Sequence, residues 1–353
     1  MSSSDIVRDT RSLIQNKIFT LVSKKWLPQV QFGIQAYSLQ AFQSATGNAR
    51  RVMENSNTAA RKSERLLANT KLADHFGTVF DSLKLVRSTS FVNVDHSDMN
   101  GLTALVGAVQ TRIGRAIPCF VETTYSDRLS ARQDAPPRKK ALRKARAEER
   151  RYQSFTGHTI DALQNFADRL GFWPKLVFDR GFGNESIVTH LAAEGATFYI
   201  RVKAGRYIEY DGQKTKIQEL KAKDVTVTLY GLTLRVIRST QDGKNKEPWY
   251  ILTNDTSYSR TKIVRIYYYR FEIEESFKDL KHILEFRRTR LNKPNSLKVI
   301  LWLMFLGIAI LYKVTKPTKH QIKHIHPKKR ISWIRQALEQ LHQAYGLLLW
   351  GGM

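Results

Sequence analysis

The spacing of apolar residues divides the chain into a helical beginning and a β-rich continuation. Over residues 5–85, Leu and Ala recur among Lys, Arg and Gln at helical intervals, without the alternation of a strand. Three short apolar runs with brief connections follow at 91–95, 102–109 and 116–121. The sequence therefore predicts an all-α N-terminal domain followed by an antiparallel β-meander.

Within the helical beginning, residues 44–69 have the pattern of two short helices separated by a polar Asn55-Ser56-Asn57 turn. The second of these helices is rich in Arg and Lys. A DNA-binding helix-turn-helix and an ordinary helical hairpin with solvated charges fit this pattern equally well.

An alternating α/β order continues after the meander. Apolar residues at helical spacing run over 155–170 and end at Gly171, a residue typical of helix ends. A buried strand at 175–179, a helix at 186–194 and a strand at 197–202 come next. The order β-β-β-α-β-α-β predicts an α/β core.

The second half of the chain begins with strands and ends with helices. Residues 205–258 alternate like strands, with Asp-Gly turn signals at 211 and 242. One continuous helix is predicted over 259–284, and further helices at 299–312 and 332–349. The sequence thus predicts a β-rich insert followed by helices.

The apolar run at 299–312 is bounded by Lys298 and Lys313, which leaves too few apolar residues to span a bilayer. It is predicted to be a buried helix, and no membrane partner is expected. The first ten residues are polar and mixed in charge, without the basic-then-apolar order of an export signal. We therefore expect a cytoplasmic protein.

The charge of the chain points to an anionic partner. Lys and Arg number 58 against 31 Asp and Glu, giving a formal net charge of +27. Solubility alone is the alternative, but so large an excess also repels itself, and nucleic acid fits best because basic arrays release counterions from phosphates. The lone cysteine, Cys119, excludes internal disulfides and a Cys-rich zinc site.

The most basic segment, residues 138–151, carries eight basic residues and two acidic ones. A solvated helical face is the ordinary interpretation, whereas the uneven charge favours contact with DNA phosphates. The residues predicted to contact DNA here are Arg138, Lys139, Lys140, Arg143 and Lys144.

Candidate chemistry rests on carboxylates. Asp95 and Asp179 each close an apolar run, at the sheet edge where α/β proteins usually place their active sites. Asp98 competes with Asp95 but is predicted to lie in a turn. Each acid alone is explained more simply by a turn, a cap or an ion pair, so only the combination is informative.

The third acid is expected from the helix predicted over 259–284. At 3.6 residues per turn, one polar stripe spans an arc of roughly 60° and borders an apolar, core-facing stripe. The polar stripe consists of Tyr267, Arg270, Glu274 and Lys281. The same geometry turns Glu272, Glu275 and Asp279 toward water, which leaves Glu274 as the acid held against the sheet.

Three carboxylates on separate elements suit Mg²⁺, which accepts a few carboxylate oxygens and keeps water and phosphate oxygens as its other ligands. Two such ions, with Mn²⁺ able to substitute, would support phosphoryl transfer. Arg270 and Lys281 would hold phosphates. The chain has no P-loop, dinucleotide fingerprint or nucleophile elbow, which argues against nucleotide-driven and serine-hydrolase chemistry.

These residues resemble the DDE transposases of bacterial insertion sequences, specifically the insertion-sequence-four group, to which the transposon-five transposase is related. The stripe from Tyr267 to Lys281 is similar at every position and spacing to that group's Y-R-E-K signature. Asp179-Arg180-Gly181-Phe182 resembles its D-R-G-[FY] motif, and Asp95-His96-Ser97 fits a looser D-x-[ST] pattern.

The resemblance implies an RNase H-like mixed-sheet catalytic core, interrupted by a β-rich insert between the second Asp and the Glu. Asp95, Asp179 and Glu274 would then be the catalytic metal ligands. Tyr267, Arg270, Lys281 and Arg180 would contact DNA. Trp249 resembles a Trp that stacks near a flipped base, although a simple core role is an equal alternative.

Together the pattern and the resemblance predict five segments. These are a helical N-terminal DNA-binding domain (1–88), a first part of the RNase H-like core (89–204), the β-rich insert (205–258), the Glu-bearing helix (259–290) and a helical C-terminal region (291–353).

The predicted activity is a transposase that binds terminal inverted repeats, acts as an endonuclease on double-stranded DNA and joins 3′ ends to target DNA as a synaptic homodimer. It would reside in a bacterial cytoplasm, with the nucleoid when DNA-bound. The alternatives are an RNase H-like nuclease or resolvase without strand transfer, and a non-catalytic transposase-derived DNA-binding regulator.

Overall fold

The computed structural model describes most of the chain. The described residues are 3–22, 24–38, 45–53, 55–99, 101–126, 155–239, 248–282, 291–317 and 332–339. The basic segment 138–151, with Arg138, Lys139, Lys140, Arg143 and Lys144, lies outside them. Its predicted DNA contact therefore stays a prediction.

The described strands form one mixed sheet. They are β1 (Phe91–Met99), β2 (Leu102–Val109), β3 (Ile117–Tyr125), β4 (Lys175–Phe178), β5 (Phe198–Val202), β6 (Tyr207–Tyr210), β7 (Gln213–Lys216), β8 (Asp224–Leu229), β9 (Leu232–Arg238) and β10 (Tyr250–Thr253). Their order is β3-β2-β1-β4-β5-β10-β9-β8-β6-β7. The sheet is thus ten strands wide over the described residues.

The first five strands form the core that the sequence predicts. Strands β1, β2 and β3 pair antiparallel as a meander, which confirms that prediction. Strand β4 pairs parallel with both β1 and β5. The order 3-2-1-4-5, antiparallel on one side and parallel on the other, is consistent with an RNase H-like domain. Strands β1 and β4 are apolar because the sheet buries them.

The strands of the predicted insert extend this same sheet. Strand β10 pairs antiparallel with β5 and carries β9 on its other side, followed by β8 and β6. In β8 the residues alternate between exposed and buried, as expected for a sheet with one face in water. The insert is therefore continuous with the core through main-chain hydrogen bonds.

The described helices are α1 (Ser3–Leu13), α2 (Phe19–Leu21), α3 (Leu27–Gly33), α4 (Ala45–Arg50), α5 (Ser56–Ala68), α6 (Thr70–Asp81), α7 (Phe155–Leu170), α8 (Glu185–Ala193), α9 (Arg260–Tyr268), α10 (Phe271–His282) and α11 (Pro294–Thr315). Short π-helical turns cover Ile14–Ile18 and Ile34–Ser38, 3₁₀ turns cover Arg180–Phe182 and Ile217–Glu219, and residues 333–339 are helical. Asn55 caps α5 by accepting from the backbone N–H groups of Asn57 and Thr58.

Helix α11 is the central helix of the core. It packs against β3 and against the N-terminal helices α1, α5 and α6. The buried ammonium of Lys298 links these elements, lying 2.8 Å from Asp74 Oδ1 and 2.9 Å from Glu122 Oε1. The helix is long and apolar enough to cross a membrane, but 83% of its apolar window is buried in the protein, which agrees with the predicted buried helix.

The helix predicted over 259–284 is divided in two. Helix α9 ends at Tyr268 and α10 begins at Phe271, so Tyr269 and Arg270 form a turn between them. Across this turn the backbone N–H groups of Arg270 and Ile273 donate three residues back instead of four. The periodicity continues through the turn, which explains why the sequence alone reads as one helix.

Gly107 in β2 is a position where the sheet leaves no room for a side chain. A Cβ there would lie 2.0 Å from Cε1 of Phe120, its buried partner on β3. We expect Gly107→Ala to lower the free energy of unfolding by about 1–3 kcal/mol, because the ring must shift in a packed core. Urea unfolding measures this. Gly205→Ala is the control, since no atom lies within 4 Å of its Cβ position, and equal stability of the two variants would contradict the packing.

Candidate active site

Two of the predicted acids lie side by side on neighbouring strands. The parallel register pairs Val94 of β1 with Phe178 of β4, so the next residues, Asp95 and Asp179, are adjacent. Asp179 follows β4 and precedes the 3₁₀ turn, as predicted. Asp95 does not close its strand, since β1 continues to Met99; that expectation was wrong. Strand pairing with β2 extends past Asp95 and carries the chain on.

Arg270 joins the first acid to the third. Its Nη1 lies 3.6 Å from Asp95 Oδ2, and its Nη2 donates to Glu274 Oε1 at 2.6 Å. The guanidinium is buried, with 5% of its side chain exposed, whereas Glu274 is 42% exposed. Arg270 therefore holds Glu274, on α10, close to Asp95, on β1.

Tyr267 connects this group to Asp179. The fully buried tyrosine donates its hydroxyl to Asp179 Oδ1 at 3.5 Å, the limit of a hydrogen bond. Its ring meets Trp249 edge-on at a centroid distance of 5.3 Å. Trp249 also packs against the partly exposed Phe271 at 5.8 Å. Trp249 is half-buried, so it packs against these rings and also remains partly exposed to solvent.

The acids interact electrostatically. Burial, together with the nearby charges of Asp179 and Glu274, raises the pKa of Asp95 to about 6 against the opposing effect of Arg270. Burial opposes the charge on Arg270, yet the surrounding Tyr267, Asp179 and Glu274 outweigh it and raise its pKa. Three carboxylates thus share one guanidinium, which leaves a net negative site.

The three carboxylates of this site have the ligand type and the charge that suit a divalent cation. Carboxylate oxygens are the ligands that Mg²⁺ prefers, and two negative charges remain after Arg270 is counted. Among the described residues, no three Asp, Glu, His or Cys side chains lie close enough together to hold one metal ion. The guanidinium of Arg270 occupies the position between Asp95 and Glu274.

Two other acids of α10 are buried, which corrects the predicted orientation. Glu272 and Asp279 were expected to point to water, but only 4% and 6% of these residues is exposed. They lie on one face of α10 with Ser276, at i, i+4 and i+7. Helix α10 is therefore fixed to the protein by polar groups that the helical projection assigned to solvent.

The partner of this face is the loop between β2 and β3. Glu272 accepts hydrogen bonds from the backbone N–H groups of Thr111, Arg112 and Gly114, at 2.9, 3.2 and 2.8 Å. Burial nevertheless raises the pKa of Glu272 above its ordinary value, against the effect of these bonds. Three N–H groups of this loop thus share the Glu272 carboxylate as their acceptor. The sequence alone does not indicate this pairing, because the loop and Glu272 are far apart in the chain.

Asp279 completes the attachment. Its Oδ2 accepts from Arg115 Nε at 2.7 Å and also lies within 2.5 Å of Ser332 Oγ. Arg115 Nη1 lies 3.4 Å from Glu275, whose side chain is only partly exposed. The three acids predicted to face water thus bind one loop. Asp279 and Glu275 pair with Arg115, and Glu272 accepts from the backbone just before it. Asp98, expected in a turn, lies within β1 and accepts from Thr103.

The remaining predicted DNA contacts lie around the acids. Arg180 is exposed in the turn after Asp179 and lines an open pocket with Lys203 and Arg206. Lys281 lies on the last turn of α10 and is half-buried. Arg201 of β5 is near enough to lower the pKa of Tyr267, although burial raises that pKa overall. Sequence reasoning missed Arg201, Lys203 and Arg206, because their nearness to Tyr267 or Arg180 depends on the tertiary structure.

A comparison with known families gives one match. Residues 156–310, less than half of the chain, match the family model described as the transposase DDE domain. No curated protein matches the chain. The matched stretch contains Asp179 and Glu274 but not Asp95. The match supports a DDE transposase, a class of DNA-cleaving enzyme that generally uses divalent metal ions.

The raised pKa of Asp95 predicts the pH dependence of stability. Between about pH 4 and pH 6 the folded chain retains a proton that the unfolded chain has lost, so the Asp95 contribution to the free energy of unfolding falls as pH rises. Asp95→Asn should remove this dependence and raise stability at pH 7.5, without divalent cations, by about 1–3 kcal/mol.

Urea unfolding at pH 4.5, 6 and 7.5 tests this expectation. Asp211→Asn is the matched control, because Asp211 is exposed at the turn between β6 and β7, where Asn fits a positive φ equally well. It should change stability by less than about 0.5 kcal/mol. Destabilisation by Asp95→Asn at pH 7.5 would show that Arg270 over-compensates the acids.

The attachment of α10 predicts a large effect of a buried acid. Glu272→Ala should lower the free energy of unfolding by about 2–4 kcal/mol, because three backbone N–H groups lose their acceptor. Glu275→Ala, at the partly exposed position three residues on, should cost less than about 1 kcal/mol. Similar losses in thermal or urea unfolding would argue against the observed orientation of α10.

Proposed function

We propose that the chain is the DNA transposase of a bacterial insertion sequence of the insertion-sequence-four group. It binds the terminal inverted repeats of its element, cleaves them by metal-dependent hydrolysis and joins the 3′ ends to target DNA. The observation that supports this most is that Asp95 lies beside Asp179 on neighbouring strands and is linked to Glu274 through Arg270. The match to the DDE domain model supports it independently.

In this proposal Asp95, Asp179 and Glu274 hold two divalent cations, Mg²⁺ or Mn²⁺. Bound there, the ions would activate the attacking water or 3′-hydroxyl and stabilise the leaving oxygen. Asp95 must be ionised to take part, and its pKa of about 6 allows this near neutral pH. Arg270 can give up one carboxylate for a phosphate, because its planar fork binds both groups in the same way.

Other side chains would position the DNA end. Tyr267 and Lys281 flank the acids, and Arg180 lies in the turn directly after Asp179. Trp249 and Phe271 present partly exposed rings next to Tyr267, which suits stacking of an unpaired base. The basic residues 138–151 would track the backbone, and the net charge of +27 implies binding that weakens with salt.

Assembly and location follow from the same proposal. Joining two ends of one element requires two active sites, so a synaptic homodimer is the proposed working form. The helical N-terminal segment, residues 1–88, would recognise the ends. A bacterial transposase acts on the nucleoid, so a cytoplasmic location is proposed.

A matched pair of variants tests the function. Glu274→Gln should lower the rate of Mg²⁺-dependent cleavage of DNA carrying the element's ends by on the order of 100-fold or more, because a metal ligand is lost. Glu275→Gln, one residue away with its carboxylate turned to Arg115, should retain the rate. Gel analysis of cleavage and strand-transfer products measures both.

Each alternative gives a different result in this assay. Cleavage without joined products would indicate a nuclease or resolvase. Binding of the ends in EDTA, with no cleavage in Mg²⁺ or Mn²⁺, would indicate a non-catalytic regulator. Full activity of Glu274→Gln would remove Glu274 from the catalytic group.

A further inference from the structure

The turn between α9 and α10 changes the backbone donors of two main-chain oxygens. In an unbroken helix the N–H groups of Arg270 and Ile273 would donate to the carbonyls of Ile266 and Tyr269, four residues back. Here Arg270 donates to Tyr267 O at 3.0 Å and Ile273 donates to Arg270 O at 3.2 Å. The carbonyls of Ile266 and Tyr269 therefore lose their donors four residues on and accept instead from the N–H groups three residues on, those of Tyr269 at 3.2 Å and Glu272 at 3.1 Å.

Two side-chain amides give each of these oxygens a second hydrogen bond. Gln110 donates its Nε2 to Ile266 O at 3.0 Å, and Asn93 donates its Nδ2 to Tyr269 O at 3.1 Å. Gln110 Nε2 also donates to Asn93 Oδ1 at 2.7 Å. The two amides are thus hydrogen-bonded to each other, and each donates to one carbonyl of the turn.

The pair belongs to the strands that carry the site. Asn93 is fully buried in β1 and lies two residues before Asp95, on the same face of the strand. Gln110 directly follows β2, and its own backbone N–H donates to Phe91 O at 2.9 Å. The position of the turn is therefore fixed relative to Asp95 through two residues of strand.

We propose that Asn93 and Gln110 are positioning residues for catalysis. By adding a hydrogen bond to Ile266 O and to Tyr269 O they stabilise the turn relative to a continuous helix, and the turn places Arg270 between Asp95 and Glu274. This inference rests on the proposed function for its catalytic consequence, whereas its structural part concerns only the turn. The side-chain hydrogen bonds of the two amides within the described residues go to each other and to the turn, not to Asp95, Asp179 or Glu274.

Gln110→Met and Asn93→Leu test the proposal. Each keeps the approximate side-chain volume and removes the N–H donors. We expect the turnover rate for end cleavage to fall about 10- to 100-fold, because misplacing a catalytic group by about 1 Å costs on that order. The KM for end-containing DNA should stay within about twofold, and the Mg²⁺ concentration for half-maximal rate should rise.

A second readout does not depend on activity. Backbone amides over residues 269–274 should exchange with D₂O about tenfold faster in both variants, with other core amides unchanged. Asn254→Leu is the control: it also loses an amide that donates to a main-chain oxygen, Ala196 O at 2.8 Å, and that accepts from Phe198 N at 3.1 Å. It should lose stability yet keep wild-type turnover and exchange at 269–274.

The outcomes separate the two proposals. Wild-type turnover, Mg²⁺ dependence and exchange in Gln110→Met would overturn the positioning role. A wild-type chain that cleaves no DNA would overturn the proposed function, and the exchange measurement would still judge the pair. Gln110 is only half-buried, so Gln110→Met is expected to fold. If Asn93→Leu does not fold, the measurements on Gln110→Met alone test the proposal.

Discussion

The site depends on one buried guanidinium shared among carboxylates. Arg270 lies between Asp95, on a strand, and Glu274, on helix α10, and Asp179 is close enough to affect Asp95 and Arg270. Acids brought so close repel one another, and removing them from water raises the cost further. One fixed cation lowers that repulsion without cancelling it. The folded chain therefore keeps an excess of negative charge where a divalent cation can add to the structure.

The protein secures this arrangement at a distance from the acids. Helix α10 is attached through Glu272, Ser276 and Asp279 to the loop after β2, and its start is fixed by the amides of Asn93 and Gln110. These bonds are buried, so each lost partner is costly. The acids can then remain partly exposed, as Glu274 is, because other groups on the same helix supply the rigidity.

The sheet sets the remaining geometry. Parallel pairing of β1 and β4 aligns Asp95 with Asp179, and pairing of β5 with β10 joins the inserted strands to the core. Trp249 directly precedes β10, so the insert brings an aromatic ring to Tyr267. Helix α11 supports the other side through Lys298, which ties the N-terminal helices to β3. The core thus includes elements from both ends of the described chain.

The sequence by itself predicted most of the elements and singled out the acids proposed for the site. Short apolar runs located β1 to β5, and helical spacing together with motif spacing selected Tyr267, Arg270 and Glu274, because these patterns are local. Only the tertiary structure decided the break at Tyr269 and Arg270, the burial of Glu272 and Asp279, and the continuation of β1 past Asp95. Each depends on a partner far away in the chain: the amide of Asn93, the loop at 111–115, and strand β2. A helical projection assigns the polar positions opposite the core to solvent, whereas a folded protein can bury them against its own hydrogen-bond donors.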